Sequence, residues 1–248
     1  MSPQRNIFQL FIIFIVLLFC MNIVTSSQTK NGSKTVLVVY GGWEGHEPKE
    51  CKDVFVPWLE QEGYKVIQSE SLEVYSDSTI MNSIDLVVQT VTMAEITNEQ
   101  EQGLVNAVMN GVSIAGWHGG LGDSFRKNTG YQFMVGGQFV AHPGGQIEYL
   151  VNIINKDDPI MKDLNDFKIT SEQYYMHVDP ANNVLATTTF SGEHSEWIEG
   201  TVMPVVWKKK YGKGKVFYSS LAHSASDFNI PEVLTIMKRG ILWAMDEL

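Results

Sequence analysis

Cysteine is nearly absent from this chain: Cys20 and Cys51 are the only two. Cys20 falls inside an apolar N-terminal run, so removal of that run leaves Cys51 alone. An internal disulfide framework is thereby excluded, and a packed core has to hold the fold. Basic residues are also scarce, with 18 Lys+Arg against 28 Asp+Glu and a formal net charge of -10. That balance, with a pI near 5.0, disfavours nucleic acid and anionic membrane surfaces as partners. The one basic run, Lys208-Lys209-Lys210 with Lys213 and Lys215, lies in a Gly-containing turn. Without aromatic residues interleaved at the tip to stack bases, it reads as a solvated hairpin tip. There is no internal repeat, low-complexity segment or linker that would divide the chain.

What is present begins with a hydrophobic N-terminus. Arg5 is the only charge before Lys30, and Leu10 to Met21 is unbroken apolar sequence within a span from Ile7 to Val24. With Thr25, Ser26 and Ser27 following, residues 1–27 read as an export signal cleaved near Ser26 or Ser27. The mature protein is then extracellular or periplasmic, with no stable membrane insertion. A retained anchor is the alternative, although the span is short against the roughly 20 residues a bilayer needs. Phe19 is bulky where lipid attachment at Cys20 would want a small residue. About 220 residues remain, enough for one domain with a sizeable core, and a composition 44% hydrophobic and 19% charged is that of a globular protein.

Strand and helix patterns alternate along that domain. Thr35 to Tyr40 is a β-branched run ending in Gly41 and Gly42, and Pro48 then opens a helix with Val54, Phe55, Trp58 and Leu59 on one stripe. Strands are expected over Lys65 to Gln68 and Asp85 to Val91. Thr97 and Gln100 have capping-box spacing at the head of a helix that Gly111 stops. The apolar run Val112 to Trp117 ends in His118-Gly119-Gly120, a strand passing through a tight turn into a helix, with Asp123 and Ser124 as N-cap candidates. Such alternation predicts an α/β domain with a mainly parallel sheet. Ile147 to Ile154 reads as an antiparallel or edge strand, and Met203 to Ser219 as an added antiparallel hairpin. A C-terminal helix starts near Pro231.

Histidines recur at strand ends, where doubly wound sheets bind ligands. His46 follows the first strand and His118 ends the central one; His142 lies in the glycine-rich loop Gly136 to Gly145, and His223 follows Ser219. That loop lacks the phosphate-loop lysine and the dinucleotide glycine spacing. Phe167 to His177 places Glu172, Tyr174, Tyr175 and His177 together. His118, Glu172 and His177 are the candidates for acid–base work, with Trp43, His46, Trp117, His142, Tyr174, Tyr175 and His223 lining a substrate site. The sequence names no cofactor. If a divalent metal such as zinc is held, His118, His142 and His223 are the expected ligands. No pair has the short spacing of a metal motif, so a metal-free pocket with Glu172 and His118 as acid and base is the alternative.

The ordered motifs Gly116-Trp117-His118, Gly136-Gly137-Gln138-Phe139-Val140-Ala141-His142-Pro143, Glu172-Gln173-Tyr174-Tyr175, Tyr211-Gly212-Lys213-Gly214-Lys215 and Leu221-Ala222-His223 closely resemble the ThuA-like (trehalose-utilisation) proteins. The resemblance covers residues 34–248. It implies a flavodoxin-like, doubly wound fold related to class I glutamine amidotransferases, and a link to sugar utilisation. Those amidotransferases carry a nucleophilic Cys where His118 stands here, and Cys51 lies in a helix instead, so glutamine hydrolysis is not expected. The expected function is acid–base chemistry on a keto-sugar or glycoside such as an oxidised disaccharide. The alternative is a non-catalytic carbohydrate-binding or accessory protein. Either way the partner is a small-molecule sugar, and the oligomeric state is left open.

Overall fold

Residues that alternate between two apolar faces make a strand that must be covered on both sides. In the computed structural model, which describes residues 33–248, β1 (Thr35–Gly42) turns Val36 and Val38 into one core and Leu37 and Val39 into the other. β3 (Leu86–Thr92) and β4 (Ser113–Trp117) are buried at every position, while β2 (Lys65–Ser69) at the sheet edge is only half-buried. These strands run parallel in the order β2-β1-β3-β4 and continue into β11 (Gly214–Ser219). This is the flavodoxin-like arrangement, in which the order reverses beside β1.

Helices seal the two faces. α1 (Pro48–Gln61) and α6 (Pro231–Ala244) bury Phe55, Leu59, Val233, Ile236 and Ile241 on one side. On the other lie α2 (Ser78–Met81), α3 (Asn98–Asn110) and α5 (Thr129–Val135), which contribute Met81, Leu104, Val108, Tyr131 and Met134. The capping box at the start of α3 is formed: Thr97 Oγ1 accepts from the Gln100 backbone at 3.3 Å and Gln100 Oε1 from the Thr97 backbone at 3.0 Å. α4 (His118–Gly122) is a single turn that starts at His118 itself. Asp123 and Ser124 therefore follow this helix, Asp123 as its C-cap, instead of capping its N-terminus.

The second half of the sheet is antiparallel and larger than one hairpin. β10 (Val202–Tyr211) pairs with β11 from Val206↔Ser219 to Tyr211↔Gly214. β9 (Asn183–Thr189), β6 (Gln146–Ile153) and β7 (Phe167–Glu172) extend it, so β6 is an inner strand and β7 the edge. Much of the glycine-rich stretch expected as a loop is strand β5 (Gly137–Ala141), paired antiparallel with β8 (Tyr175–Val178). Its partner lies far along the chain, which no local pattern discloses. The lysine run is a solvated tip only in part, at exposed Lys210 and Lys213. Lys208 pairs with buried Asp158 at 2.5 Å and Lys209 with Asp179 at 2.7 Å, both along β10, and Lys215 pairs with Asp246.

One glycine tests how tightly the layers fit. Inside a helix Ala is usually better than Gly by about 1 kcal/mol. At Gly103 in α3, however, a Cβ would meet the Tyr75 carbonyl oxygen at 1.9 Å, a backbone atom that has no rotamer to escape into. Gly103→Ala is expected to reverse the usual sign, destabilising by roughly 1–3 kcal/mol and lowering Tm by roughly 2–10 °C. A thermal melt at or above that of the parent would contradict this contact.

Candidate functional site

The site is built on the turn out of β4. His118 adopts φ 46, a left-handed conformation that costs a side-chain-bearing residue about 1–2 kcal/mol. The surroundings hold it there. Gly119 makes room, since a Cβ on it would stand 2.5 Å from the His46 ring and 2.9 Å from Thr92. Beneath the turn, Gln89 is fully buried. Its amide nitrogen lies 3.2 Å from the Gly120 carbonyl, 2.8 Å from Ser124 Oγ and 2.6 Å from the Tyr131 hydroxyl, while its oxygen accepts from Tyr75 at 2.7 Å. From the adjacent strand the Tyr218 hydroxyl donates to the His118 carbonyl at 3.0 Å.

Four polar side chains meet at this carboxyl edge. His46 arrives from the 3-10 turn Glu44–His46 after β1, His118 from the end of β4, His223 from the segment after β11, and Glu172 from the last position of β7. One donor atom from each lies within 4.8 Å of the others, and together they form a cup. Glu172 Oε2 is 3.0 Å from His118 Nε2, 3.2 Å from His223 Nδ1 and 3.8 Å from His46 Nε2. The opposite ring nitrogens are fixed from behind. His118 Nδ1 lies 2.8 Å from the Ser220 carbonyl, and His46 Nδ1 2.9 Å from Thr92 Oγ1. Asp227 braces two of the arms, accepting from the His223 backbone at 2.9 Å and from Ser171 Oγ, next to Glu172, at 2.8 Å. Ala222, just before His223, is a second strained position at φ 72.

Burial and hydrogen bonding compete in the cup. Burial alone would raise the Glu172 carboxyl, but the nearby His118, His223 and His46 rings prevail and hold it far below the ordinary carboxylate range. The His118 imidazole is pulled down to about 4 by burial, which outweighs its contact with Glu172. His223 shifts upward instead, chiefly through its close contact with that carboxylate. Cys51 stays outside the site in α1, and burial pushes its thiol up to about 12, which removes it as a nucleophile at neutral pH.

A rim surrounds the cup. Tyr174 stacks on His118 at 4.0 Å between ring centroids and also touches Phe139. His142 Nε2 is 3.7 Å from Glu172 Oε1, with its side chain 40% exposed, and Trp43, 47% exposed, stands edge-on to His46 at 4.7 Å. Three expected site residues do not join. Alternation along β8 buries Met176 and leaves His177 exposed, its backbone opposite Gln138. The same alternation sends Trp117 into the core against Phe55 and Phe228, and Tyr175 packs on Phe190. Among the expected metal ligands, His142 is displaced by His46. The residues missed are Gln89 and Thr92, for which a signal exists, since with Thr90 they interrupt an otherwise apolar buried strand.

Comparison with known proteins follows the fold. The family model described as trehalose utilisation, ThuA, matches residues 35–244. Among solved structures, a ThuA-like protein from Bacteroides uniformis ATCC 8492 aligns with a TM-score of 0.71 at 14% identity, covering 88% of this chain and 93% of that one. A ThuA-like protein from Parabacteroides merdae ATCC 43184 gives 0.70 at 18%, covering 86% and 90%. A β-galactosidase from Bacillus circulans sp. alkalophilus gives 0.52 at 13%, covering 83% of this chain and 31% of that one. At these identities the likeness is one of fold. No curated protein matches the sequence.

The strained turn yields its own test. Both His118→Ala and His118→Gly remove the imidazole, but only glycine relaxes at φ 46. His118→Gly is expected to be the more stable of the two by about 1 kcal/mol, visible as a higher Tm. Equal melts, or a more stable alanine variant, would mean that the turn is unstrained.

Proposed function

Because the chain belongs to the ThuA family linked to trehalose utilisation, its model matching residues 35–244, we propose that it is an enzyme acting on a sugar, an oxidised disaccharide or related glycoside. The observation that carries this reading is a buried carboxylate ringed by four imidazoles at the carboxyl edge of the sheet. Such a cup can aim imidazole N–H donors at a carbonyl or glycosidic oxygen of the substrate that gathers negative charge in the transition state. His142, the ring of this set most open to solvent, takes the proton from the carbon beside the carbonyl, giving an enediolate, and delivers it to the former carbonyl carbon while the hydroxyl proton moves between the two oxygens, so that the product is an isomer of unchanged mass. The exposed face of Trp43 beside His46 offers a platform for a sugar ring.

Charge favours a neutral substrate. Arg126 is bound by Asp123 through two contacts of 2.7 and 2.6 Å, and Lys127 by Glu95 at 2.5 Å. The two basic side chains of the loop after α4 are thus already engaged by carboxylates, as a phosphorylated sugar would not want. The turn that bears the nucleophilic Cys in amidotransferases bears His118 here, so glutaminase chemistry is not proposed.

Incubation of the purified protein with trehalose and with 3-keto-trehalose, followed by chromatography and mass spectrometry, tests the enzyme reading. Turnover of the keto-sugar is expected, with kcat reduced roughly 100-fold in His142→Ala and KM little changed. Saturable binding without conversion would replace the enzyme with a carbohydrate-binding protein.

We also propose export of residues 28–248. The signal-like segment 1–27 lies outside the described residues, and among the described residues no helix is long and apolar enough to cross a membrane. The support is Arg5, the apolar run Leu10 to Met21 and the small residues after it. Mass spectrometry of the native protein is expected to find an N-terminus near Ser26 or Ser27; an intact, membrane-held N-terminus would overturn this.

A further inference from the structure

Three ring nitrogens in the cup point at one carboxylate oxygen. Glu172 Oε2 stands 3.0 Å from His118 Nε2, whose ring is 1% exposed and held at Nδ1 by the Ser220 carbonyl at 2.8 Å. His223 Nδ1 lies 3.2 Å from the same oxygen, yet it is buried with no hydrogen-bond partner. His46 Nε2, whose ring is held at Nδ1 by Thr92, is the third at 3.8 Å. One donor atom from each of the four residues lies within 4.8 Å of the others. One divalent ion would give all four a partner.

We propose that His46 Nε2, His118 Nε2, His223 Nδ1 and a Glu172 oxygen bind a divalent transition-metal ion of the zinc type. Nitrogen-rich sets with one carboxylate suit such ions. Donors about 2.0–2.2 Å from zinc stand roughly 3.3 Å apart in a tetrahedron, and the separations from Glu172 Oε2 here are 3.0, 3.2 and 3.8 Å. The supporting groups match too: a metal-bound imidazole ordinarily gives its other N–H to a carbonyl or a similar acceptor, as His118 does to Ser220. His142 is left outside the set, near the other carboxylate oxygen, and so keeps its freedom to move protons. The ion's catalytic meaning rests on the sugar-enzyme reading, where it would supply the positive charge at the reacting oxygen. Its binding depends on the four side chains alone.

Metal analysis separates the two. Protein purified without chelator and dialysed against micromolar ZnCl2 is expected to retain about one ion per chain, and a Co2+-loaded sample to show the d–d absorption of a low-coordinate nitrogen site. Affinity should fall roughly 10-fold or more in His118→Ala and in His223→Ala, while His177→Ala, altered on the exposed face of β8, keeps the ion. Circular dichroism controls for folding, and the half-buried His223 supplies a second variant should His118→Ala fail to fold. Retention of well under one ion, or binding unaffected by His223→Ala, would overturn the metal site. Sugar turnover that persists in chelated, metal-free protein would likewise overturn its catalytic role while leaving the enzyme reading intact. A bound ion without any sugar turnover would leave the metal site standing and remove the enzyme.

Discussion

The structure depends on a strand that stops abruptly. β4 runs buried through the middle of the sheet and must turn at His118 without carrying its side chain back into the core, and the left-handed φ of 46 does this. Everything around the turn answers to that constraint. Gln89 and Tyr218 tie down its carbonyls, Gly119 lets His46 approach, and α4 begins at once and leads away. A buried histidine held against its conformational preference is a local cost carried by the surrounding framework, as at other functional sites.

The two halves of the sheet have different tasks. The parallel half supplies three imidazoles from loops at one edge, as the doubly wound arrangement dictates. The antiparallel half supplies the carboxylate: β6 pairs with β9 at Asn152↔Thr187 and Ile153↔Ala186, and the β6–β7 hairpin delivers Glu172 to the edge where His118 waits. Asp227 then links the halves by holding Ser171 and the His223 backbone together. Neither half contains a complete site.

How much of this is legible in the sequence follows from the range of each interaction. The parallel strands, the Thr97–Gln100 cap and the histidines after strands are legible because they rest on local periodicity and short spacings. The motifs that point to the family are legible for the same reason. Long-range pairing is not. Which of Glu172 and His177 faces the cup depends on where β7 ends and β8 begins, since alternate residues point opposite ways. Trp117 illustrates the same phase problem one residue before the turn. The replacement of His142 by His46 among the converging rings depends on β5 pairing with β8, a contact invisible to any window of neighbouring residues. Lys208 and Asp158, apart in sequence and paired in space, hide in the same way.

The dispersal of the cup along the chain has a consequence for synthesis. His118 is bonded to a carbonyl 102 residues later, and Glu47 to the backbone of Ala225, 178 residues away. Contacts of such separation carry a large loop-closure cost and form late. A growing polypeptide therefore has no assembled cup while its amino-terminal strands form, because Ser220 and His223 are made after them. The four side chains can meet only once residue 223 has been synthesised, and a product ended before it would lack the cup.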